Sequence, residues 1–545
     1  MLLHFPVKAS CLTGCAALQL APMRFFSPGS SGTDTREVAS AVGIRKDTTS
    51  VELLSRLKDK SILHTSGWIS GEWTHGSSKN GTFEVQNPAT GTLLATMPLM
   101  KVNETRAAIA AADSVFPEWR RHTAKERSNI LKRWQTEILA HAEDLATILT
   151  SEGGKPLAEA RAEIASGAAS VEWMAEECRR VEGDVLQSTG SDRRMLTLKQ
   201  PVGVVGAITP WNFPFSMITR KVAPALAAGC TVVIKPAELT PLSAVALAEL
   251  AERAGLPDGV LNVVFGDAPA IGHELATNID VRKIGFTGST SVGKALAATA
   301  AGHVKRISLE LGGNAPLIVF DDADLELASA GVVASALRNA GQTCVCANRV
   351  FVHESVHDKL ADMVASRVQK LRLGDGLSPD TNIGPLISEA AVAKVTAHVD
   401  DAVAKGAKVL VGGKKASLAS PLSNGTFFEP TVLGDATIDM RLFKEETFGP
   451  LIPFFKFGST SEVVQLANNT EYGLAAYFFT KDLAKAWRTA EDLEYGMVGI
   501  NDVAITNEAA PFGGVKQSGL GREQSKYGIQ EFLDIKYVCM GLGSN

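Results

Sequence analysis

The chain has 545 residues, of which 45% are hydrophobic and 21% charged, and its formal net charge is −5. A charge this close to neutral gives no support to nucleic-acid binding, which usually requires a clear basic excess. No stretch reaches the roughly 18 uninterrupted apolar residues of a membrane span, so we expect a soluble protein that does not bind membranes. Seven cysteines are too few for a disulfide framework in a chain of this length and favour a reducing compartment.

The first 33 residues differ in composition from the rest of the chain. They contain Lys8 and Arg24, and the first acidic residue is Asp34. A basic segment rich in serine, alanine and leucine is typical of an organelle presequence. We predict that residues 1–33 direct the protein to the mitochondrial matrix, with the plastid as the alternative; an N-terminus without a targeting role is the other interpretation.

The body of the chain has an α/β pattern. Apolar residues recur at three- and four-residue spacing between 103 and 182, which predicts helices. Thr240 and Pro241 predict the capped start of a later helix, and Gly255 predicts its end. Short apolar runs alternate with further helices and are typical of a parallel sheet covered on both faces. These runs are 202–209, 231–235, 261–266, 282–288, 305–310 and 315–320. We predict a doubly wound α/β domain followed by a second α/β region from about 316 to 510.

Two motifs in the first α/β region fit a nucleotide. "FTGSTSVG" (286–293) is a glycine-rich turn between a strand and a helix, whose N–H groups suit a phosphate, although a plain tight turn explains it as well. "KPAE" (235–238) ends a strand with Glu238, which could accept hydrogen bonds from both hydroxyls of an adenosine ribose. The same carboxylate would repel a 2′-phosphate, which favours NAD over NADP. For these four residues alone, a surface loop is the simpler interpretation.

Two further motifs contain groups that could do chemistry. "LELGG" (309–313) carries Glu310 in an apolar strand, where burial would raise its pKa and suit a general base. "GQTCVCANR" (341–349) carries Cys344 and Cys346, which could be half of a metal site, a disulfide, or a nucleophile with a companion. We expect no metal, because there is no C-x-x-C pair and the ten histidines are scattered. A cysteine in a turn of small residues is a better candidate nucleophile.

Seven motifs together resemble the aldehyde dehydrogenase superfamily in order and approximate spacing. They are "TPWNFP" (209–214), "KPAE", "FTGST", "LELGG", "GQTC", "EETFGP" (445–450) and "PFGGVKQSGLGRE" (511–523). The resemblance covers about residues 65–540. Within the superfamily, "LRNAGQTCVCANR", "MITRK" and "GREQSKYGIQEFLDIKYVC" are most similar to members that oxidise succinic semialdehyde. The resemblance therefore implies NAD-dependent oxidation of this small aldehyde to succinate.

The resemblance also implies roles for three catalytic residues. Cys344 would attack the aldehyde to form a hemithioacetal and later a thioester. The side-chain amide of Asn212 and the backbone N–H of Cys344 would stabilise the oxyanion. Glu310 would activate the water that hydrolyses the thioester.

The implied cofactor is NAD, and the substrate is expected to carry a carboxylate. The residues that the family assigns to the cofactor are Ile208, Thr209, Trp211, Lys235, Glu238, Gly288, Ser289, Glu446 and Phe448. Arg220 and Arg338 would bind the carboxylate, and Thr506 stands where the family uses a serine, so that its extra methyl group could narrow the pocket. Arg220 follows Asn212 by eight residues, a little over two helical turns, so we expect both to face one cavity.

Cys346 would then be a companion of the nucleophile. An extended chain separates Cα atoms two residues apart by about 6.6–7.2 Å, near the upper limit for a disulfide, so a bond would require the chain to bend. Our hypothesis is a reversible redox switch in which oxidation joins Cys344 to Cys346 and silences the enzyme. The alternative is a small buried packing residue.

The resemblance implies three interleaved parts and an oligomer. They are a Rossmann-like NAD-binding domain (46–185 and 204–310), an α/β catalytic domain (311–511) and a small β oligomerisation arm (186–203 and 531–545). The arm would assemble a homo-oligomer, a dimer of dimers. Two alternatives remain for the function: a dehydrogenase for another semialdehyde such as glutarate semialdehyde, and a non-catalytic scaffold of the same fold.

Overall fold

The structure, a computed structural model, describes residues 49–543, and the targeting segment predicted for residues 1–33 lies outside this range. Twenty strands in this part of the chain form four sheets. The strands are β1 (Gly67–Ile69), β2 (Glu72–Thr74), β3 (Thr82–Gln86), β4 (Leu93–Pro98), β5 (Val185–Leu186), β6 (Arg193–Pro201), β7 (Val204–Ile208), β8 (Thr231–Lys235), β9 (Leu261–Val263), β10 (Val281–Thr287), β11 (Arg306–Glu310), β12 (Ala315–Val319), β13 (Ala347–His353), β14 (Lys408–Val411), β15 (Thr431–Gly434), β16 (Leu451–Phe457), β17 (Ala475–Phe479), β18 (Met497–Ile500), β19 (Gly519–Leu520) and β20 (Leu533–Gly541).

Four helices follow one another between residues 102 and 177, as the spacing of apolar residues predicts, and most later helices lie between strands. They are α1 (Val51–Arg56), α2 (Val102–Trp119), α3 (Ala124–Ala140), α4 (Ala142–Gly153), α5 (Leu157–Glu177), α6 (Ser216–Ala228), α7 (Leu242–Arg253), α8 (Ala268–Thr277), α9 (Thr290–Ala301), α10 (Leu325–Leu337), α11 (His357–Val368), α12 (Glu389–Ala404), α13 (Arg441–Lys444), α14 (Thr460–Asn468), α15 (Leu483–Asp492) and α16 (Ser525–Gln530). None of those within residues 49–543 combines the length and apolarity needed to cross a membrane.

The first large sheet has the strand order β19-β11-β10-β7-β8-β9-β1-β2. Its five central strands are parallel, and every residue of β7 and β8 is buried, which confirms the doubly wound prediction. The antiparallel edge strands β1, β2 and β19 were not anticipated, since they have only two or three residues each and no apolar run. The carboxyl ends of β7, β8, β10 and β11 meet at one edge, and the motifs "TPWNFP", "KPAE", "FTGST" and "LELGG" all begin there.

The second large sheet has the order β14-β15-β16-β13-β12-β17-β18 and is parallel except for β14. It forms the α/β region predicted for 316–510. In the three-stranded sheet, β20 pairs with β6 over nine residues, and β6 also pairs with β5. The exact domain boundaries stay a prediction.

Helix α7 starts differently from the prediction. Its N-cap is Pro241, with no side-chain cap of its own, and Thr240 Oγ1 donates instead to the Trp211 carbonyl at 3.4 Å. The buried carboxylate of Glu152, from α4, accepts the N–H groups of Leu242 and Ser243 at 2.8 and 2.9 Å. The predicted cap is therefore wrong, because a distant carboxylate satisfies the helix N-terminus. Gly255 does follow the helix end in a left-handed conformation, with φ +78°.

Candidate active site

Cys344 lies in a loop with an unusual backbone. Asn339, Ala340 and Gly341 all have positive φ, of 50°, 54° and 76°. A Cβ atom on Gly341 would lie 2.0 Å from the Gly449 carbonyl oxygen, so only glycine fits there. Consecutive left-handed residues are costly, and such strain clusters at functional sites. The loop delivers Cys344 to the point where two cavities meet.

The first of these, the wide cavity, has a volume of about 380 Å³ and is largely apolar. Among the residues that line it are Trp211, Asn212, Gly288, Ser289, Cys344, Lys394, Glu446, Thr447 and Phe448. Residues of the first sheet's edge thus face residues of the second α/β region across the cavity.

The second, the narrow cavity, has a volume of about 20 Å³, room for about one water molecule. It is lined by Glu163, Ser166, Phe213, Ser216, Met217, Arg220, Arg338, Thr343, Cys344, Val345, Thr506 and Phe512. The three substrate residues predicted from the sequence therefore lie together beside Cys344. The helical argument for Arg220 is nevertheless wrong, because α6 begins only at Ser216, and Asn212 lines the wide cavity instead.

The Cys344 thiol is half-buried, and burial raises its pKa, with the carboxylates of Glu446 and Glu310 adding to the effect and Arg220 opposing it. Since a thiolate is the reactive form, this cysteine needs a proton acceptor or a nearby positive charge to become a nucleophile. Gly313, from "LELGG", packs against it: a Cβ atom there would lie 2.4 Å from the Cys344 carbonyl oxygen. The second glycine of that motif thus permits the close approach of the two loops.

Asn212 is buried next to Cys344 in the wide cavity. Its side-chain Nδ2 donates a hydrogen bond to the Gln342 carbonyl at 3.0 Å, which leaves one amide hydrogen for another acceptor. Within residues 49–543 the backbone N–H of Cys344 makes no hydrogen bond. Two donors beside Cys344, the Asn212 amide and the Cys344 N–H, are therefore available to a further acceptor.

Glu310 ends strand β11 and is 4% exposed. Burial raises its pKa well above the usual range, the Glu523 carboxylate adds to this, and Lys221, Arg220 and Arg522 oppose it. Its Oε2 has no hydrogen-bond partner within the described residues. Glu310 lines neither the wide nor the narrow cavity, and its carboxylate packs against Gly513, where a Cβ atom would lie 2.8 Å from Oε1.

An ion pair beside Glu310 was missed by the sequence analysis. Lys221 and Glu523 are both buried and in direct contact, and Lys221 Nζ also donates to Thr287 Oγ1 at 2.6 Å. The two residues are 302 positions apart in the chain, so no local pattern could have paired them.

Most of the residues expected to bind the cofactor line one of two cavities. Ile208 and Lys235 line a third, outer cavity of about 630 Å³ between α8 and α9. Lys235 is buried and forms an ion pair with Glu238. Gly288 and Ser289 line the wide cavity at the N-terminus of α9. Thr209 and Glu238 line none of the three cavities, and Thr209 donates its backbone N–H to the Lys235 carbonyl at 3.0 Å.

Glu446 and Phe448 lie across the wide cavity from Trp211. Burial raises the pKa of Glu446 to about 7, and its Oε1 accepts the Gly313 N–H at 3.0 Å. Phe448 has a positive φ of 56°, and its ring meets the Trp211 ring edge-on with the centroids 5.5 Å apart. Lys394, on α12, also lines this cavity and was missed, because a lysine on an amphipathic helix looks like a surface residue.

The two arginines of the narrow cavity differ in burial. Arg220 is 5% exposed, and its Nε and Nη1 have no hydrogen-bond partner within the described residues. Its guanidinium carbon lies 4.7 Å from the Phe512 ring centroid. Arg338 is exposed and lies 5.2 Å from the Phe213 centroid. A buried, unpaired guanidinium is costly, so the cavity favours an anionic ligand.

Cys346 is buried and lines neither cavity that Cys344 lines. Burial raises the pKa of its thiol to about 12, and Sγ donates to the Arg338 carbonyl at 3.8 Å. Both cysteines are free thiols. The extended chain assumed between them is wrong: the Cys346 N–H donates to the Thr343 carbonyl at 3.0 Å, so the segment is already a turn.

The described part of the chain contains no group of three or more histidine, cysteine, aspartate or glutamate side chains arranged to hold a metal ion. The site is therefore defined by a thiol, amide donors, buried carboxylates and two arginines.

Comparisons with known proteins show which family the chain is similar to. The model of the aldehyde dehydrogenase family matches residues 73–538. A mitochondrial succinate-semialdehyde dehydrogenase of Arabidopsis thaliana is 56% identical over 486 residues, 89% of this chain and 91% of the relative. A glutarate-semialdehyde dehydrogenase of Pseudomonas putida is 54% identical over 488 residues, 89% of this chain and 100% of the relative.

A solved structure extends the similarity to the fold. The crystal structure of an NADP-dependent enzyme of Escherichia coli matches with a TM-score of 0.87 and 53% identity, covering 89% of this chain and 100% of that one. The chain therefore belongs to the aldehyde dehydrogenase family.

Proposed function

We propose that this aldehyde dehydrogenase oxidises succinic semialdehyde to succinate with NAD as the cofactor. The observation that carries the proposal is the buried, unpaired guanidinium of Arg220 in the same narrow cavity as Cys344. A substrate with a carboxylate at one end and an aldehyde at the other would pair with the arginine and present its carbonyl to the thiol. The 56% identity to the Arabidopsis succinate-semialdehyde dehydrogenase supports the same assignment.

The residues around the wide and outer cavities fit NAD. Lys235 and Glu238 would bind the adenosine ribose, Ser289 and the N-terminus of α9 the pyrophosphate, and Glu446 and Phe448 the nicotinamide ribose and ring. Glu446 Oε1 accepts the Gly313 N–H, and its second oxygen, Oε2, would accept a hydrogen bond from a ribose hydroxyl. The Glu238 carboxylate favours NAD, whereas the similar structure from Escherichia coli is of an NADP-dependent enzyme.

The protein's own groups would carry the reaction in two stages. Cys344 gives its proton to solvent, and its thiolate forms a C–S bond to the aldehyde carbon as the C=O π bond breaks. The resulting oxyanion accepts hydrogen bonds from Asn212 and the Cys344 N–H. NAD, when bound, supplies the acceptor for the hydride whose loss converts the hemithioacetal into a thioester. Glu310 then takes a proton from water as the water attacks the thioester, releasing the acid and the thiol.

Size favours a short substrate over a longer one. The narrow cavity of about 20 Å³ must expand through side-chain movement to admit four carbons, and a five-carbon chain requires more. Glutarate semialdehyde remains the second candidate, because a relative with that activity is 54% identical.

The test is NADH formation with succinic semialdehyde, glutarate semialdehyde and uncharged butanal, in dithiothreitol, with NAD and NADP compared. We expect kcat/KM for succinic semialdehyde to exceed that for butanal by at least about 10²-fold, about 2.7 kcal/mol of transition-state discrimination. Equal values for succinic semialdehyde and butanal would overturn the substrate assignment. A higher kcat/KM for glutarate semialdehyde than for succinic semialdehyde would assign the five-carbon aldehyde as the substrate.

We also propose that oxidation joins Cys344 to Cys346 and inactivates the enzyme reversibly. The turn between Thr343 and Cys346 supports this, because it shortens the distance that an extended chain would impose. Peroxide should inactivate the natural protein, and dithiothreitol should restore it. A Cys346→Ala protein that lost and regained activity in the same way would contradict the switch.

Two further proposals concern location and assembly. Residues 1–33 would import the protein into mitochondria, and the mitochondrial relative supports this. A fluorescent fusion to this segment that stayed diffuse in the cytosol would contradict it.

The arm formed by β5, β6 and β20 would build a dimer of dimers. Strand β20 lies at a sheet edge with Ile535 and Tyr537 exposed, a surface suited to strand pairing. Light scattering should then give four times the mass of one chain.

A further inference from the structure

A buried ion pair lies behind the narrow cavity and has no part in the reaction as described so far. Lys155, two residues before α5, is 2% exposed, and Glu163, within α5, is 1% exposed. Lys155 Nζ lies 2.5 Å from Glu163 Oε2. Burying two charges costs more than their attraction commonly returns, so such a pair is weak evidence for stability alone. Its other contacts point to a different role.

Lys155 makes its second hydrogen bond to the oxyanion donor. Its Nζ donates to the main-chain carbonyl of Asn212 at 2.7 Å. Asn339 Nδ2 donates to the same carbonyl at 3.1 Å, while the Asn212 side chain donates to Gln342 at 3.0 Å. The Asn212 peptide is therefore held from two sides, and the direction of its side chain follows from that.

Glu163 secures the next segment of the chain. Its Oε1 accepts the N–H groups of Phe215 and Ser216 at 3.0 Å each. These N–H groups lie at the start of α6, where a helix offers them no backbone acceptor of its own. The same helix carries Arg220. One ion pair thus anchors both the residue that faces the wide cavity and the helix that faces the narrow one.

Phe213 connects the pair to the second arginine. Lys155 Nζ lies 4.0 Å from the centre of its ring, and the guanidinium carbon of Arg338 lies 5.2 Å from the same centre. Lys155 itself lines neither cavity, so it does not touch the reacting atoms.

We infer that Lys155 is a positioning residue for the oxyanion site: it holds the Asn212 peptide so that the amide faces the aldehyde oxygen bound at Cys344, with Glu163 fixing the lysine in turn. The inference rests on the proposed role of Asn212. It does not depend on which aldehyde is the natural substrate, because an oxyanion forms on every aldehyde. When Glu163, which lines the narrow cavity, is neutralised as well, the defect from losing Lys155 should therefore be the same for charged and uncharged substrates.

The experiment compares Lys155→Met, Asn212→Ala and the combination of both, each assayed with succinic semialdehyde and butanal. Removing an oxyanion donor typically costs about 10²- to 10³-fold, which we expect for Asn212→Ala. We expect Lys155→Met to lower kcat by about 10-fold or more with both aldehydes. The ratio of their kcat/KM values should stay within about 3-fold of the natural protein when Glu163→Gln is added, because the unpaired Glu163 carboxylate would otherwise repel a charged substrate. Because the lysine acts through the asparagine, the combined variant should be no slower than Asn212→Ala alone, within about 3-fold.

The control addresses folding, since Lys155→Met leaves the Glu163 carboxylate buried without its partner. The neutral pair Lys155→Met with Glu163→Gln keeps an acceptor for the Phe215 and Ser216 N–H groups and removes both charges. This double variant should retain rapid alkylation of Cys344 by iodoacetamide. Its kcat should fall as that of Lys155→Met does, and adding Asn212→Ala should give no further loss beyond that of Asn212→Ala alone.

Two outcomes would overturn the inference, and they differ. If the losses from Lys155→Met and Asn212→Ala multiply in the combined variant, the lysine has only a structural role and the proposed reaction stands. If Asn212→Ala alone changes nothing, the oxyanion role itself is wrong, and the positioning role of Lys155 is lost with it.

Discussion

The two cavities that meet at Cys344 are built from different parts of the protein. The wide cavity of about 380 Å³ depends on backbone features: Gly313 allows the close approach of two loops, and Phe448 has a positive φ. The narrow cavity of about 20 Å³ depends on side chains, chiefly Arg220, Arg338 and Thr506. In the proposed function, cofactor binding would therefore depend on backbone geometry, whereas the choice of aldehyde would depend on a few replaceable side chains. Substitutions should affect one side and spare the other.

Cys344 belongs to both sides, so its loss should have the largest effect. We expect Cys344→Ser to reduce NADH formation by more than about 10⁴-fold with every aldehyde, since loss of a nucleophile commonly costs more than this. NAD binding, measured by titration calorimetry, should persist because the wide cavity keeps its shape. Cys346→Ser is the matched control and should retain most of the activity. If the Cys344→Ser and Cys346→Ser proteins were equally inactive, Cys344 would have only a structural role.

Glu310 lines neither cavity, and its proposed role is to activate water. Its substitution should therefore slow only the hydrolysis of the thioester. Glu310→Gln should slow turnover by about 10²- to 10⁴-fold, the usual contribution of a general base, after a first burst of NADH. Because the pKa of Glu310 is raised and the base must be deprotonated, turnover in the natural protein should be lost as the pH falls through that raised pKa. If the Glu310→Gln protein had the same pH profile as the natural protein, Glu310 would not be the base of this step.

Arg220 should separate the two sides most clearly. We expect Arg220→Met to lower kcat/KM for succinic semialdehyde by about 10²-fold or more, because a desolvated charge pair is lost, and to change that for butanal by no more than about 3-fold. Arg338→Met is the matched control, and its effect should be smaller, about 5-fold or less, since Arg338 is exposed and water screens its charge. The reverse order would show that burial does not decide which arginine binds the carboxylate.

Glu238 should affect only the cofactor side, and by the smallest amount. Its side chain is 32% exposed, so we expect Glu238→Gln to raise the ratio of NADP to NAD efficiency by about 10-fold, through lost repulsion of the 2′-phosphate. The preference for succinic semialdehyde over butanal should not change. A shift in that preference would contradict the independence of the two cavities.

Local sequence determined the elements and the reactive groups. The apolar runs predicted the central strands β7, β8, β10, β11 and β12 to within two residues at each end, because a strand buried on both faces must be continuously apolar. Cys344 was predicted from its turn of small residues, whereas Asn212 and Arg220 were predicted only from the resemblance of their motifs to the aldehyde dehydrogenase family. The edge strands β1, β2 and β19 were missed because so few residues carry no such pattern.

Only the tertiary structure decided how these groups act on each other. It buried Arg220 and left Arg338 exposed, supplied Glu152 as the cap of α7, and joined Lys155 to Asn212. In each case the partners are far apart in the chain, and the effect depends on how much water the surrounding residues exclude. An apolar run predicts that a strand is buried, as for Glu310, but spacing along the chain does not show which distant residues cover or pair with a charged side chain. The charge balance of the site was therefore not visible in the sequence.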